Sequence, residues 1–344
     1  MKLFAALLLA ALSLAAGQTQ ARTITDAAGR KVEIPDTVTR ALAAGPPASV
    51  LVYVLAPDKL TGWVRQPGDA EKQFLMPAVR DLPTFGQLTG KGGTANMEAV
   101  LAAKPDIIID VGTVNPTYAS LADKVQAQTG IPYVLIDGSF ARSAETLREA
   151  GDILGTGDRA EKLATYAEAK ISDLNTKLAS IPESDRPRVY YGRGPEGLET
   201  GLSGSINLEI LGAVGATNVA AAAGKGGLTQ VSLEQILSWK PDTILAASGK
   251  FAASVKSDPL WKDLDAVKND RVFVTPNLPF GWFDSPPGIN RLIGISWLEH
   301  LFYPSQFTGD LKADVREFFT LFYQVDLTDD QLATLLKGSG AQPK

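Results

Sequence analysis

The sequence predicts an α/β fold of two α/β lobes, each with a mostly parallel central sheet, joined by a single long rigid helix and separated by a cleft. Three observations predict it. Apolar strands alternate with amphipathic helices in both halves of the chain, as parallel strands with helical crossovers require. Between the halves, residues 143–181 keep helical spacing without a strand. A motif in residues 97–110 also returns in residues 233–246.

The N-terminus is typical of a secretory signal peptide, because Lys2 precedes an apolar run at 3–16 that small and polar residues follow. The run is shorter than the roughly 20 residues that span a bilayer. We therefore expect a signal peptide over residues 1–21, cleaved after Ala16, Gly17 or Ala21.

The sequence has no cysteine, which excludes a disulfide framework, a thiolate metal site, a cysteine nucleophile and a lipid anchor. Together with the signal, this predicts a soluble periplasmic protein that is neither a lipoprotein nor membrane-spanning.

The first lobe is expected over residues 22–157. It begins with a hairpin at 25–34 that turns at Ala28-Gly29 and ends at Pro35. The alternating pattern then predicts strands near 40–44, 60–64, 106–111 and 132–137, and helices near 48–56, 96–103 and 117–128.

A stop-and-restart signal, Gly155-Thr156-Gly157-Asp158, divides the long helical stretch, because glycine ends one helix and Asp158 can cap the next. The second helix is predicted at about 158–180, and Pro182 and Pro187 follow it. We expect a linking backbone helix over 158–182 and a second lobe over 183–344, with strands near 188–191, 243–247 and 271–275.

The repeated motif reads MEAVLAAKPDIIID at 97–110 and LEQILSWKPDTILA at 233–246. In both copies a short helix ends at Lys-Pro-Asp, because proline blocks its continuation, and a buried strand follows. The repetition without a gap predicts two structurally related lobes.

Several function classes are disfavoured. The net charge is −5 with scattered basic residues, so no nucleic acid partner is expected.

The stretch 192–197, GRGPEG, fits a dinucleotide-binding spacing, but the glycine-rich 199–204 cannot open the required helix. The glycines at 90–93 fail as a phosphate loop, because Phe85 stands where glycine is required and no Ser or Thr follows Lys91.

Enzyme motifs are scarce as well. His300, the single histidine, lies in an apolar helix turn, and no G-x-S-x-G nucleophile motif occurs. We predict no enzymatic activity, no catalytic residues and no cofactor. A secreted hydrolase built on two α/β lobes stays open as a distant alternative. Paired carboxylates are inevitable among 38 acidic residues, so their presence is no evidence for it.

Candidate ligand-binding residues come from loops after the predicted strands, because an open α/β sheet binds ligands at the carboxyl ends of its strands. The stretch 280–287 has three aromatic residues within four positions and predicts an exposed aromatic wall for a large planar or apolar ligand. Core packing is the alternative for each aromatic side chain. Two arginines could pair with carboxylate or catecholate oxygens of a ligand. The candidates are Trp63, Arg65, Phe85, Asn115, Tyr118, Tyr191, Arg193, Phe280, Trp282, Phe283 and Asp284.

Four segments carry a family resemblance: 26–30, 96–106, the long helix that begins near 157, and 231–242. With them the chain resembles the periplasmic substrate-binding proteins of ABC importers for iron siderophores, haem and cobalamin, the class with a helical backbone (class III). The resemblance covers nearly everything after the signal peptide. It implies a monomer with a largely preformed ligand cleft and little lobe closure.

The resemblance also implies partners. Glu98 and Glu234, one in each copy of the motif, are expected to pair with arginines of an ABC permease dimer, whose separate ATPase supplies the energy. The ligand is expected to carry the metal, so the protein needs no metal site of its own. We rank a ferric siderophore first, cobalamin or haem second, with Tyr118, Tyr190 or Tyr191 able to reach haem iron, and a nickel complex or an oxyanion such as molybdate third.

Overall fold

The protein is described by a computed structural model that covers residues 21–90 and 93–341. The predicted signal peptide, 1–21, lies outside these residues except for Ala21. That residue begins the hairpin of β1 (Ala21–Thr25) and β2 (Lys31–Pro35), which pair antiparallel. Asp26 shapes the turn, because its Oδ1 accepts hydrogen bonds from the backbone N–H groups of Ala28 and Arg30, both at 3.0 Å. The predicted hairpin is confirmed at its turn, but it begins at Ala21 instead of Thr25 and includes Pro35.

The first lobe has a three-stranded parallel sheet in the order β3-β4-β5. Its strands are β3 (Ala41–Ala43), β4 (Ile107–Gly112) and β5 (Tyr133–Asp137). Its helices are α1 (Pro46–Leu55), α2 (Asp69–Lys72), α3 (Met97–Ala103), α4 (Pro116–Thr129) and α5 (Ser143–Leu154).

The predicted strand at 60–64 is wrong. Leu60 and Trp63 form only isolated bridges, to Ala41 and Thr84. Gly62 lies so close to a neighbouring segment that a Cβ atom there would be 2.3 Å from the carbonyl oxygen of Pro83. The segment therefore crosses its neighbours at single residues instead of running beside one.

The long helix α6 (Gly157–Leu178) links the two lobes. Its 22 residues correspond to about 33 Å at 1.5 Å per residue. Its buried stripe consists of Ala160, Leu163, Ala164, Ala167, Leu174 and Leu178. At Gly151 of α5 a Cβ atom would lie 2.2 Å from the Cβ of Ala160, so this close crossing requires glycine.

The second lobe has a four-stranded parallel sheet in the order β11-β10-β6-β8 and a small antiparallel pair, β7 with β9. Its strands are β6 (Arg188–Gly192), β7 (Glu199–Gly201), β8 (Thr217–Asn218), β9 (Leu228–Gln230), β10 (Thr243–Ala246) and β11 (Val272–Val274). Its helices are α7 (Glu209–Ala213), α8 (Leu233–Trp239), α9 (Gly249–Ser257) and α10 (Asp265–Lys268).

The C-terminal segment packs back against the first lobe. It contains α11 (Arg291–Phe302), α12 (Leu311–Phe318), a π-helical turn (Phe319–Tyr323) and α13 (Asp329–Leu336). The Tyr53 hydroxyl of α1 donates to the carbonyl oxygen of Tyr323 at 2.7 Å. Noncovalent contacts therefore reinforce the link that α6 makes between the lobes. Among the described residues, no helix is both long and apolar enough to cross a membrane.

The sequence repeat is also a structural repeat. Both α3 and α8 have seven residues and end at a left-handed lysine, Lys104 with φ 47° and Lys240 with φ 49°. Arg40 donates from Nε to the carbonyl oxygen of Ala103 at 2.9 Å, and Arg188 donates from Nη2 to that of Trp239 at 2.8 Å. In each lobe, an arginine at or just before the start of a strand thus donates a hydrogen bond to the last residue of the repeated helix.

Candidate functional site

A cavity of about 940 Å³ opens between the two lobes. Its wall in the first lobe includes Asp110 and Asn115, at and just beyond the carboxyl end of β4, and its wall in the second lobe includes Arg193, which directly follows β6. Phe280 and Asp284 of the loop after β11 complete the second wall. The cavity therefore lies where ligands bind in open α/β sheets, at the carboxyl ends of parallel strands.

The structure brings seven of the predicted ligand-binding residues to this cavity. They are Trp63, Arg65, Asn115, Tyr118, Arg193, Phe280 and Asp284. Four others, Phe85, Tyr191, Trp282 and Phe283, do not line it and are buried in the core.

The exposed aromatic wall predicted at 280–287 is wrong for two of its three rings. Trp282 and Phe283 are fully buried. The indole of Trp282 packs against Phe319, and its Nε1 donates to the carbonyl oxygen of Leu278 at 3.3 Å. The ring of Phe283 lies 4.3 Å from that of Tyr191, measured between centroids. The loop folds inward because these rings fill the space between the sheet and the C-terminal helices, and only Phe280 keeps a face on the cavity.

Phe85 and Tyr191 were also predicted to bind the ligand, but both rings are buried and do not line the cavity. Phe85 packs in the core under the first sheet, close enough to Gly62 that a Cβ atom there would lie 2.5 Å from its ring. Tyr191 belongs to β6, and its side chain points into the core between the sheet and the buried loop. Neither ring reaches the cavity surface.

Trp63 and Phe280 both line the cavity, with ring centroids 6.0 Å apart, but Trp63 is only 3% exposed. The indole of Trp63 donates from Nε1 to the carbonyl oxygen of Val79 at 2.7 Å and packs on Tyr53. These contacts fix the ring, so a ligand would meet a preformed apolar surface at this end of the cavity.

Arg65 pairs with Glu71 in the fork geometry that arginine prefers with carboxylates, at 2.8 Å and 2.5 Å. The backbone N–H of Gly68 also donates to Glu71, at 2.7 Å. Burial tends to raise the pKa of Glu71, but the hydrogen bonds from Arg65 and Gly68 outweigh it and lower the pKa. Glu71 therefore stays ionised and neutralises Arg65.

Arg193 pairs with two carboxylates. Its Nε lies 2.8 Å from Oδ2 of Asp284, and its Nη1 also contacts Glu199. Asn207 donates from Nδ2 to the other oxygen of Asp284 at 2.7 Å. Both arginines of the predicted site are thus neutralised by protein carboxylates.

Asn115 has a structural role as well as a place in the cavity wall. Its side-chain oxygen accepts hydrogen bonds from the backbone N–H groups of Thr117 and Tyr118, at 2.9 Å and 3.1 Å, and so caps α4. This cap places the half-buried Tyr118 at the cavity edge.

Sequence reasoning missed Asp110, which lines the cavity and is only 6% exposed. Its carboxylate accepts hydrogen bonds from Thr89 and Tyr133, at 3.2 Å and 3.0 Å. Burial is the largest influence on this carboxyl group and raises its pKa. The available signal was the single charge that interrupts the apolar run of β4, at the end of the strand that faces the cleft.

A family model described as periplasmic binding protein matches residues 56–278. The chain belongs to the periplasmic binding protein family. Family members are substrate-binding components of ABC transporters, proteins that carry a ligand to a permease instead of converting it. The two lobes with parallel sheets, joined by one long helix, have the fold of the class III substrate-binding proteins in this family.

Two known relatives match almost the whole chain, and a third matches just over half of it. A solute-binding protein of an ABC transporter from Sulfurospirillum deleyianum is 31% identical, with a TM-score of 0.82 over 92% of this chain and 99% of that one. The molybdate-binding protein MolA of Haemophilus influenzae is 28% identical over an alignment of 341 positions that covers 91% of this chain and 93% of MolA. The iron(3+)-hydroxamate-binding protein FhuD of Bacillus subtilis is 28% identical over an alignment of 205 positions that covers 57% of this chain and 62% of FhuD.

In this periplasmic binding protein, Glu98 and Glu234 lie outside the cavity lining, in the first turns of α3 and α8. Both side chains are exposed. A hydrogen bond from Ser232 is the largest influence on Glu234 and lowers its pKa. The two carboxylates occupy equivalent positions in the two copies of the repeat.

Proposed function

We propose that this periplasmic binding protein captures a bulky metal chelate, a ferric siderophore in the first place, and delivers it to an ABC permease. The size of the cavity is the observation that carries the proposal. At about 940 Å³ it lies near the upper end of the range of about 300–1,000 Å³ that holds drug-sized ligands. A bare tetrahedral oxyanion would fill only a small part of it.

The charges in the cavity favour a chelate that is neutral or cationic. Among the described lining residues, two arginines meet four carboxylates: Arg65, Arg193, Glu71, Asp110, Glu199 and Asp284. An anion binds best to charge-assisted donors that are not already paired. Because Arg65 and Arg193 already hold protein carboxylates, a ferric hydroxamate suits this cavity better than a highly negative catecholate.

Aromatic surface supports the same class of ligand. Phe280, which lies beside the buried Trp63, offers an apolar surface against which the organic part of a chelate can pack. The similarity to FhuD, whose name gives iron(3+) hydroxamate as its ligand, adds to this support.

The experiment is a titration of the mature protein followed by tryptophan fluorescence. The ligands are ferrichrome and ferrioxamine B, then haemin, cyanocobalamin, a nickel–histidine complex and molybdate. A saturable change with a submicromolar midpoint for a ferric hydroxamate supports the proposal, with Trp63 as the reporter. If only another class of ligand binds saturably, the ligand of this protein belongs to that class and is not a ferric siderophore.

An oxyanion is the second candidate, and the similarity to MolA over nearly the full length of both chains favours it. We expect molybdate to bind in this cavity through Arg193, which must then release Asp284 or Glu199. Molybdate binding that Arg193→Gln abolishes, without any binding of ferric chelates, would establish this candidate.

We also propose that Glu98 and Glu234 dock the protein onto a two-subunit permease. Their exposure and their equivalent places on α3 and α8 support this role, since a pair of like carboxylates suits a partner with twofold symmetry. The same proposal includes a signal peptide over 1–21 and release of the protein into the periplasm as a monomer. It also includes two lobes, over 22–157 and 183–344, that are joined by a helix over 158–182. The position of α6 (Gly157–Leu178) supports the division.

A further inference from the structure

The cavity contains a buried carboxylate that no cation neutralises within the described part of the chain. Asp110 stands near the carboxyl end of β4 and is only 6% exposed, yet it lines the cavity. Both of its oxygens accept hydrogen bonds from neutral groups. Thr89 donates to Oδ1 at 3.2 Å, and Tyr133 donates to Oδ2 at 3.0 Å.

Asp110 differs in this respect from every other described carboxylate of the cavity. Glu71 is held by Arg65, and both Glu199 and Asp284 are held by Arg193. Ion pairs to Asp110 are absent from the described residues. Among the described residues, two arginines therefore pair with three carboxylates, and the fourth, Asp110, faces the cavity without a counter-charge.

A buried charge without a partner is costly, so proteins rarely keep one unless a ligand completes it. Neutral hydrogen bonds from Tyr133 and Thr89 hold the carboxylate in place but leave its charge uncompensated. The burial that raises the pKa of Asp110 has the same physical origin. A cationic group on the ligand would remove this cost on binding.

We propose that Asp110 is the counter-charge for a positively charged group of the ligand, so that the cleft selects cationic metal chelates over neutral ones of the same size. The inference rests on the proposed function and narrows it to one class of chelate. The alternative is a purely structural Asp110 that organises β4 and β5 through Tyr133.

Two ferric trihydroxamates test the proposal, because they share the iron centre and differ in charge. Ferrioxamine B is linear with a pendant ammonium group, and ferrioxamine E is cyclic and neutral. Wild type is expected to bind ferrioxamine B about tenfold more tightly, a difference of about 1.4 kcal/mol. Asp110→Asn should abolish this preference by weakening only ferrioxamine B. The matched control, Asp263→Asn, removes the same charge from an exposed position and should keep the preference.

The thermal midpoint without ligand gives a second readout. Asparagine keeps an acceptor for Tyr133 and removes the uncompensated charge, so Asp110→Asn is expected to raise the midpoint by a few degrees. A lower midpoint, or a preference that survives in Asp110→Asn, would overturn the proposal in favour of the structural role. If wild type binds neither ferrioxamine, siderophore capture fails, and the direction of the midpoint shift still decides the role of Asp110.

Discussion

Arg193 and Asp284 form an ion pair in the wall of the cavity, with 2.8 Å between Nε and Oδ2. The side chain of Asp284 is completely buried, and that of Arg193 is 20% exposed. The pair therefore joins the loop after β6 to the loop after β11 and shapes the second-lobe wall of the site.

Arg193→Ala is expected to lower the free energy of unfolding by about 3 kcal/mol, because it leaves a buried carboxylate without its cation. Urea denaturation measures this loss. Arg65→Ala is the matched comparison, since Arg65 also pairs with a carboxylate but is 63% exposed, and its loss should cost less than about 1 kcal/mol. Equal effects of the two substitutions would show that burial of Asp284 does not set the energy of the pair.

Trp282→Ala should act on stability instead of ligand binding. The indole is fully buried against Phe319, so its removal leaves a cavity and should lower the free energy of unfolding by about 3–5 kcal/mol. Phe280→Ala should show the opposite balance, with weaker ligand binding and a smaller loss of stability, because Phe280 is only half-buried and lines the cavity. Denaturation and ligand titration of both variants separate the two roles. If Trp282→Ala keeps its stability but loses affinity for the ligand, Trp282 belongs to the ligand-binding site and not to the core.

The stability of the protein should fall as pH rises from about 4.5 to 7. Burial raises the pKa of Glu299 to about 7, although Lys170, with Nζ 3.6 Å from Oε2, and Lys177 act to lower it. Asp173 and Asp314 add to the rise. The folded state holds the proton of Glu299 more tightly than the unfolded state does. The resulting stabilisation is therefore complete below the unfolded pKa of about 4.5 and is lost as pH rises through the folded pKa of about 7.

Glu299→Gln should weaken this dependence and be more stable than wild type at pH 8, by at most about 3 kcal/mol. Urea denaturation at pH 5, 6, 7 and 8 measures it. Glu317→Gln on the neighbouring helix α12 is an exposed control that should leave the profile unchanged. A wild-type profile that rises over this range would contradict the assignment to Glu299.

Reversing Glu98 and Glu234 together to arginine should abolish uptake in cells while the affinity for ligand stays unchanged, because both side chains are exposed and lie outside the cavity lining. Transport of a radiolabelled ferric chelate and titration of the purified variant measure the two properties. Reversing Glu33 and Asp263, two other exposed carboxylates, gives the same change in charge and should keep uptake. Uptake that survives the first reversal would place the permease contact elsewhere.

Regular segments could be predicted from the sequence because local physics determines them. Proline ends both α3 and α8, and the apolar runs that follow, at 107–109 and 244–247, are short enough for buried strands, so both copies of the repeat are predicted correctly. The long helix α6 followed from its periodicity and from the glycines that precede it. The fold class and the family resemblance are confirmed.

The irregular parts of the site could not be predicted in the same way. Whether Trp282 faces the cavity or the core depends on Phe319 and Gly294, which are distant in sequence. The pairing of Arg193 with Asp284 joins residues from two separate loops. The residues on either side of Asp110 in β4 are apolar. The sequence therefore shows a charge in the strand, but only the packing of β4 in the sheet shows that this charge faces the cavity.

Isothermal titration of the mature protein with ferrioxamine B at neutral pH, followed by molybdate, tests the central claim most directly. The proposed function predicts one site per chain with a submicromolar dissociation constant for the ferric chelate, and no saturable heat from molybdate. Saturable molybdate binding with no heat from ferrioxamine B or ferrichrome would contradict it, and would make the cleft an oxyanion site.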